Sequence, residues 1–475
     1  MLFNSFQFAL FLPIVFVLYW FVFNKNLNIR NIFLLVISYI FYACWDYRFL
    51  LLIILSTLVD YFIGIKISET NKIKKRKLFL FTSLIVNLGL LGFFKYYNFF
   101  IENWIDLMNK FGFNSNLESL NVILPVGISF YTFQTLSYTI DIYKRKITPT
   151  NNLVNFAAFV VFFPQLVAGP IERASNLLPQ FFSLKKFDFE KARSGLHLIF
   201  WGLFKKVVIA DSCAIYVNAI FSNYENLNSL TLILGAIYFA FQIYGDFSGY
   251  SDIAIGISRL LGFDLMQNFR QPYFSKNIAE FWRRWHISLS TWFRDYVYLP
   301  LGGSRVSKTN QVRNVFIIFL VSGFWHGANW TFIFWGLLNA IYFMPRILFY
   351  FNKEKSNNNN FSVIQNLKNF IGILITFSFI CFAWIFFRSK TIGNAFEYIN
   401  QILKLKFNIE YLNIERYSIE MLFLLILFVL IEWFSKNSEE PISGKWSYFK
   451  LLTCIILIFV LGSFSNPQDF IYFQF

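Results

Sequence analysis

Runs of apolar residues long enough to cross a lipid bilayer recur along the whole chain, and they constrain its fold more than any other feature. Residues 2–23, 78–100, 122–142, 196–221 and 230–257 are each such a run, and 31–65 is long enough for two short spans turning near Asp46. Further spans are expected near 369–387, 418–434 and 448–464. A crossing helix takes roughly 20 apolar residues, which leaves room for about ten to twelve here. In lipid the backbone must satisfy its own hydrogen bonds, so the expected fold class is an all-α integral membrane protein with re-entrant and interfacial helices. The chain is 57% apolar and only 14% charged, against about a quarter charged in soluble domains. That argues against a soluble multidomain protein.

The net charge of +16 would suggest nucleic acid in a soluble chain. Here the basic residues sit in short connections, as a positive-inside bias requires, and no nucleic-acid partner is expected. Membrane lipid is the implied surroundings, and the charge provides a field for anionic headgroups or an anionic cytosolic substrate. The connection KISETNKIKKRK is expected in the cytoplasm, and the N-terminus outside, with the first run a retained span rather than a signal peptide. Lys205 and Lys206 read as side chains snorkelling to the inner interface. Between 259 and 313 nine basic residues face three acidic ones, the densest positive stretch.

The organisation expected is one multi-span domain over 1–475. Its core motifs occupy 122–345, a mobile polar loop 352–368 (opening NKEKSNNNNFSVIQN), and C-terminal spans 369–475. The run 153–171 is basic on both sides and broken by Pro164, Gly169 and Pro170. It reads as re-entrant or as a broken pair, tolerated at depth only where protein covers it. Cys44, Cys213, Cys381 and Cys454 lie in or beside apolar runs and read as core residues, with no zinc-ligand spacing and no metal site expected.

Two of the three histidines, His286 and His326, fall between 278 and 329. At roughly 100° per residue, Trp282, Trp285, Leu289, Trp292, Phe293 and Tyr296 gather on one face, while Arg283, Arg284, Ser290, Arg294 and Asp295 point elsewhere. The spacing predicts an amphipathic interfacial helix over 281–296. His286 falls at the edge of the apolar face, where it is either a boundary residue or a functional one. His326 lies within FIIFLVSGFWHGANW, flanked by Gly323, Phe324, Trp325, Gly327 and Trp330. An ionisable group inside a bilayer segment is costly and its default explanation is function. Burial favours the uncharged ring that a general base needs.

In QIYGDFSGYSD, Asp246 and Asp252 fall on different faces of a helix and form no carboxylate pair. Gly245 and Gly249 form a GxxxG that lets helices approach closely. Asp246 reads either as part of a satisfied packing interface or as a proton-handling group. LPLGGSR lacks the pattern of a phosphate loop, and no G-x-S-x-G elbow is present.

Taken together, five passages resemble the membrane-bound O-acyltransferase superfamily, in its bacterial branch of alginate and peptidoglycan O-acetyltransferases. They are MLFNSFQFALFLPIVFVLYW, FFPQLVAGPIERASNLLPQF, QIYGDFSGYSDIAIGISRLLGF, FWRRWHISLSTWFRDYVYLPLGGSR and SGFWHGANWTFIFWGLLNA. The resemblance implies a multi-span fold around a central tunnel, an essential histidine at His326 and a secondary catalytic position at His286. It implies a cytosolic acetyl donor, acetyl-CoA, with no bound cofactor. It also implies location in the bacterial inner membrane, a periplasmic acetyltransferase partner and an envelope polysaccharide as final acceptor.

On that reading His326 takes the proton of an acceptor hydroxyl, and Ser322, Asn329 or a backbone N–H holds the oxyanion. Trp285, Trp325, Arg284, Arg294 and Asp246 are candidates for the tunnel or substrate path. Richness in Phe, Asn, Ile and Lys suggests an AT-rich genome and favours peptidoglycan over alginate. A D-alanyl or lipid acyltransferase on the same fold is the nearest alternative. A transporter of an anionic envelope precursor, lined by Arg283, Arg284 and Arg294, is one of a different class.

Overall fold

A computed structural model describes residues 1–113, 117–349, 363–406, 418–436, 438–464, 468, 470 and 471. Among these residues the regular structure is helical throughout, and the chain divides into two compact units.

The first unit comprises 1–199 and 250–266. It begins with α1 (Phe6–Val17), capped by the Ser5 hydroxyl, which accepts from Phe8 N at 3.2 Å. α2 (Leu27–Asp46) and α3 (Leu50–Glu69) follow. The chain turns between them at Asp46, as expected, because its carboxylate accepts from Arg48 N at 3.0 Å and stops the first helix. α4 (Ile73–Leu91) passes through a π-turn into α5 (Tyr97–Lys110). α6 (Ile128–Tyr143) lies in the interior with nearly every side chain buried.

A polar knot ties α3, α4 and α6 together. Asn87 Nδ2 donates to Asp60 Oδ2 at 2.8 Å, Ser83 Oγ to Asp60 Oδ1 at 2.5 Å, and Thr135 Oγ1 to Asn87 Oδ1 at 3.3 Å. Where lipid offers helices no hydrophobic reason to associate, such bonds hold them. Arg30 is likewise internal, donating to Ser183 O at 2.9 Å.

The run 153–171 does not form one crossing helix. α7 (Leu153–Val161) ends at Phe162, the short α8 (Phe163–Leu166) carries Pro164 in its first turn, and α9 (Ala174–Leu177) follows an irregular stretch. Residues 155–172 are buried throughout, which is the condition for irregular backbone at membrane depth.

The second unit comprises 200–249 and 267–475. α10 (Phe189–Leu203) leads into it, and a π-segment joins that helix to α11 (Asp211–Ser222). α12 (Ser229–Leu260) is a single long helix whose first part, to Gly249, belongs here. The short α13 (Ile278–Arg284) and α14 (Ile287–Phe293) precede α15 (Lys308–His326) and α16 (Trp330–Leu348). α17 (Val363–Arg388), α18 (Ile392–Leu403), α19 (Ser418–Phe434) and α20 (Ser447–Leu461) complete it. Of the expected loop at 352–368, residues up to 362 lie outside the described ones, and the remainder opens α17.

Among the described residues, six helical segments are long and apolar enough to cross a membrane, and α20 and the Met421–Phe434 part of α19 are shorter apolar helices. Two of the six, Leu27–Glu69 and Ile73–Lys110, each contain a pair of the helices above. The protein is an all-α, multi-pass membrane protein. Cys213, Cys381 and Cys454 are buried as expected, but Cys44 is exposed.

Two close approaches shape the second unit. A Cβ on Gly249 would meet the Gly202 carbonyl oxygen at 2.7 Å, and one on Gly245 the Lys205 carbonyl oxygen at 2.9 Å, so the GxxxG does seat one helix against another. In the α15–α16 hairpin, a Cβ on Gly323 would overlap the Phe332 carbonyl oxygen, and one on Gly336 that of Phe319.

Candidate active site

His326 is the last residue of α15, not a mid-helix residue, and only Gly327, Ala328 and Asn329 separate it from α16. The chain turns back at this point because Gly327 is extended and its Cα faces the Phe332 ring, with no room for a side chain. Asn329 then caps α16, its Oδ1 accepting from Thr331 N at 3.0 Å, while its Nδ2 donates to Lys390 O at 3.1 Å. Ser322, one turn before His326, is buried.

The His326 ring is enclosed by aromatic neighbours. Trp325 lies 5.0 Å away, Trp335 of α16 5.1 Å and Phe387 of α17 5.6 Å, each presenting an edge-on arrangement. The second imidazole, His286, lies 6.3 Å from His326 between ring centroids. Both histidines are buried, His286 to 1% exposure and His326 to 3%.

His286 arrives there by a break in the helix that periodicity predicted over 281–296. Trp285 is extended and His286 left-handed (φ 41°, ψ 57°), so α13 stops before them and α14 starts after. Projection at a fixed angle per residue fails across such a break, which is why the apparent boundary residue is internal. Asn268 holds it open. Its carbonyl accepts from Ile287 N at 2.9 Å and its side-chain oxygen from Ser288 Oγ at 2.9 Å, while Arg270 N donates to Arg284 O at 3.0 Å. A non-glycine residue in this conformation costs free energy that surrounding contacts must offset.

Phe247 of α12 meets the His286 ring edge-on at 4.5 Å, and Trp325 lies 6.0 Å from it. Burial first, and then the neighbouring His326, push the His286 pKa well below the ordinary histidine value. Trp285 packs against Trp384 at 5.2 Å, and Trp384 stacks on Trp335 at 5.6 Å. One aromatic shell therefore joins both histidines and the tryptophans flanking them.

The remaining candidates are distributed more widely. Arg284 pairs with Glu280 at 2.7 Å, and the half-exposed Arg294 with Asp295 at 2.8 Å. Asp246 is ion-paired with Lys206 at 2.8 Å and accepts from Ile471 N at 2.6 Å. Lys206 also pairs with Asp211 at 2.7 Å and is buried in that charge cluster rather than snorkelling. Sequence reasoning missed Asn268, Phe247, Trp384 and Phe387, which long-range packing alone brings to the histidines, and Asp211, the ion-pair partner of Lys206.

The arrangement offers a buried imidazole in an aromatic enclosure with a second imidazole close by, a setting compatible with proton transfer. Residues 143–389 match the family model of MBOAT, the membrane-bound O-acyltransferase family. The probable alginate O-acetylase AlgI of Pseudomonas putida is 36% identical, over 99% of this chain and 99% of that protein. The peptidoglycan O-acetyltransferase of Helicobacter pylori is 35% identical over 100% and 98%. The teichoic acid D-alanyltransferase of Bacillus subtilis is 30% identical over 57% and 70%. With a family model spanning both histidines and relatives aligned end to end, the transporter reading of the arginines falls away, and the chain belongs to the membrane-bound O-acyltransferase family.

Proposed function

We propose that this enzyme transfers acetyl groups from acetyl-CoA in the cytosol towards a polysaccharide of the cell envelope, with peptidoglycan favoured over alginate as final acceptor. The observation carrying this reading is His326 sealed in an aromatic shell beside His286, in a chain aligned end to end with proteins named for O-acetylation of those polymers. In the reaction, the His326 nitrogen takes the proton of an acceptor hydroxyl while its oxygen attacks the thioester carbonyl. The tetrahedral intermediate collapses, the C–S bond breaks, and the departing thiolate receives the proton from the imidazolium. Exclusion of water protects the thioester from hydrolysis. Ser322 or a backbone N–H near the α15–α16 turn stabilises the oxyanion. Asn329 is the weaker candidate, since its Nδ2 donates to Lys390 O while its Oδ1 caps α16. A periplasmic acetyltransferase subunit carries the group to the polymer, which places the enzyme in the inner membrane.

The test is His326→Ala in the full chain. Loss of wall O-acetylation and of thiol release from acetyl-CoA, with normal membrane insertion, is expected, and wild-type O-acetyl content would refute the mechanism. The D-alanyltransferase likeness supports a second reading, D-alanyl transfer. Mass analysis of the acyl group added to wall polymers distinguishes the two.

A further inference from the structure

The second unit also holds an apolar cavity of about 390 Å³ whose wall includes Phe274, Leu374, Phe377 and Trp433. A polar groove of about 510 Å³ is lined by Arg270, Arg283, Arg284 and Lys436, with Glu280 and Glu439 as its carboxylates. Gln271 belongs to both walls, and it is left-handed (φ 38°), so the lining changes from cationic to apolar at a sharp backbone turn. Trp433 ties the two together from the other side. Its ring packs edge-on against Phe274 at 5.2 Å and carries the Lys436 ammonium 4.1 Å above its centroid.

Four cations against two carboxylates leave the groove positive, and Glu280 is already committed to Arg284 at 2.7 Å. Arg270, Arg283 and Lys436 therefore present a cationic rim beside an aromatic and aliphatic slot. Guanidinium groups match a phosphodiester geometrically, and an acyl chain gains by leaving the groove for the slot. A sugar or inorganic phosphate would use only the polar half.

We propose that groove and cavity form one binding site for an anionic phospholipid, its phosphate between Arg270, Arg283 and Lys436 and an acyl chain along Phe274, Leu374 and Phe377. The cavity wall also contains Tyr244 and Tyr273, whose rings lie 6.2 Å and 6.0 Å from Trp285, so a bound chain would buttress the residue preceding His286.

The test uses the purified full chain in detergent, with phosphatidylglycerol and phosphatidylcholine of identical acyl chains offered together and retained lipid read by native mass spectrometry. Wild-type protein is expected to retain phosphatidylglycerol preferentially. Arg270→Gln with Arg283→Gln should reduce that preference roughly 30-fold, taking the usual contribution of each basic residue near an anionic surface. If the pair fails to fold, Arg283→Gln alone, at an exposed side chain, should lower it severalfold. Leu374→Trp, filling the slot, should lower phosphatidylglycerol retention as well. Equal retention of the two lipids by wild-type protein would overturn the proposal, as would an unchanged preference in the arginine variants. Displacement of phosphatidylglycerol by equimolar inorganic phosphate or coenzyme A would equally overturn it, showing a site for free anions.

Discussion

The rings of His286 and His326 lie 6.3 Å apart although separate helices carry them, and each is held by a different device. His326 ends a helix at a glycine turn, whereas His286 occupies a left-handed break secured by Asn268. At that separation the two imidazoles do not hydrogen-bond to each other directly, and under the proposed mechanism a reacting hydroxyl would pass between them.

Replacing His326 by Ala or Gln is expected to lower acetyl transfer by about 10² to 10⁴, the usual worth of a general base. Single-turnover assays with acetyl-CoA, alongside a thermal midpoint near wild type, check this. A fall of less than tenfold would remove His326 from the proton transfer.

His286→Asn separates backbone from chemistry. Asn tolerates the left-handed region, so this variant should fold, whereas His286→Val should be distinctly less stable because β-branched residues resist it. If His286→Asn loses activity with its thermal midpoint intact, the imidazole itself is used. Full activity would reduce His286 to packing.

Asn268→Ala removes the side-chain oxygen that accepts from Ser288 N and Ser288 Oγ in a buried setting, at a cost of about 1–3 kcal/mol. We expect kcat to fall more than KM rises, because the break positions His286 rather than the substrate. Asn268→Asp retains the acceptor oxygen and should restore much of the loss. Equal defects in both variants would point to a purely structural role.

The buried charges make a graded prediction. Lys206→Met strands two carboxylates and should cost roughly 3–5 kcal/mol, as breaking buried ion pairs does. Asp246→Asn should cost less, because Lys206 keeps Asp211 as a partner. Chemical denaturation in detergent ranks the two, and the reverse order would contradict the pairing.

Stability should depend on pH through His286. Its folded pKa lies below the ordinary value of 6.5, so between those two values the unfolded chain binds a proton that the folded one does not. The stabilisation is therefore complete above about pH 6.5 and declines as pH falls towards the folded pKa. Thermal midpoints from pH 8 to pH 5 should drop for wild type and flatten for His286→Asn, over roughly the histidine range.

Much of this was determined by the sequence alone. Apolar runs of span length force helices, because lipid offers the backbone no other hydrogen-bond partner, and the turn at Asp46, the fracture at Pro164 and the close approach at Gly245 and Gly249 all follow from local chemistry. FWHGANW marked His326 by the cost of an imidazole among apolar residues. Tertiary structure decided the rest. It broke the 281–296 helix at His286, turned the chain at His326, and drew Phe247, Trp384 and Phe387 into one shell from distant helices. Helical periodicity describes only residues a few positions apart on an unbroken helix. A left-handed residue held by Asn268 from outside that stretch leaves no periodic trace.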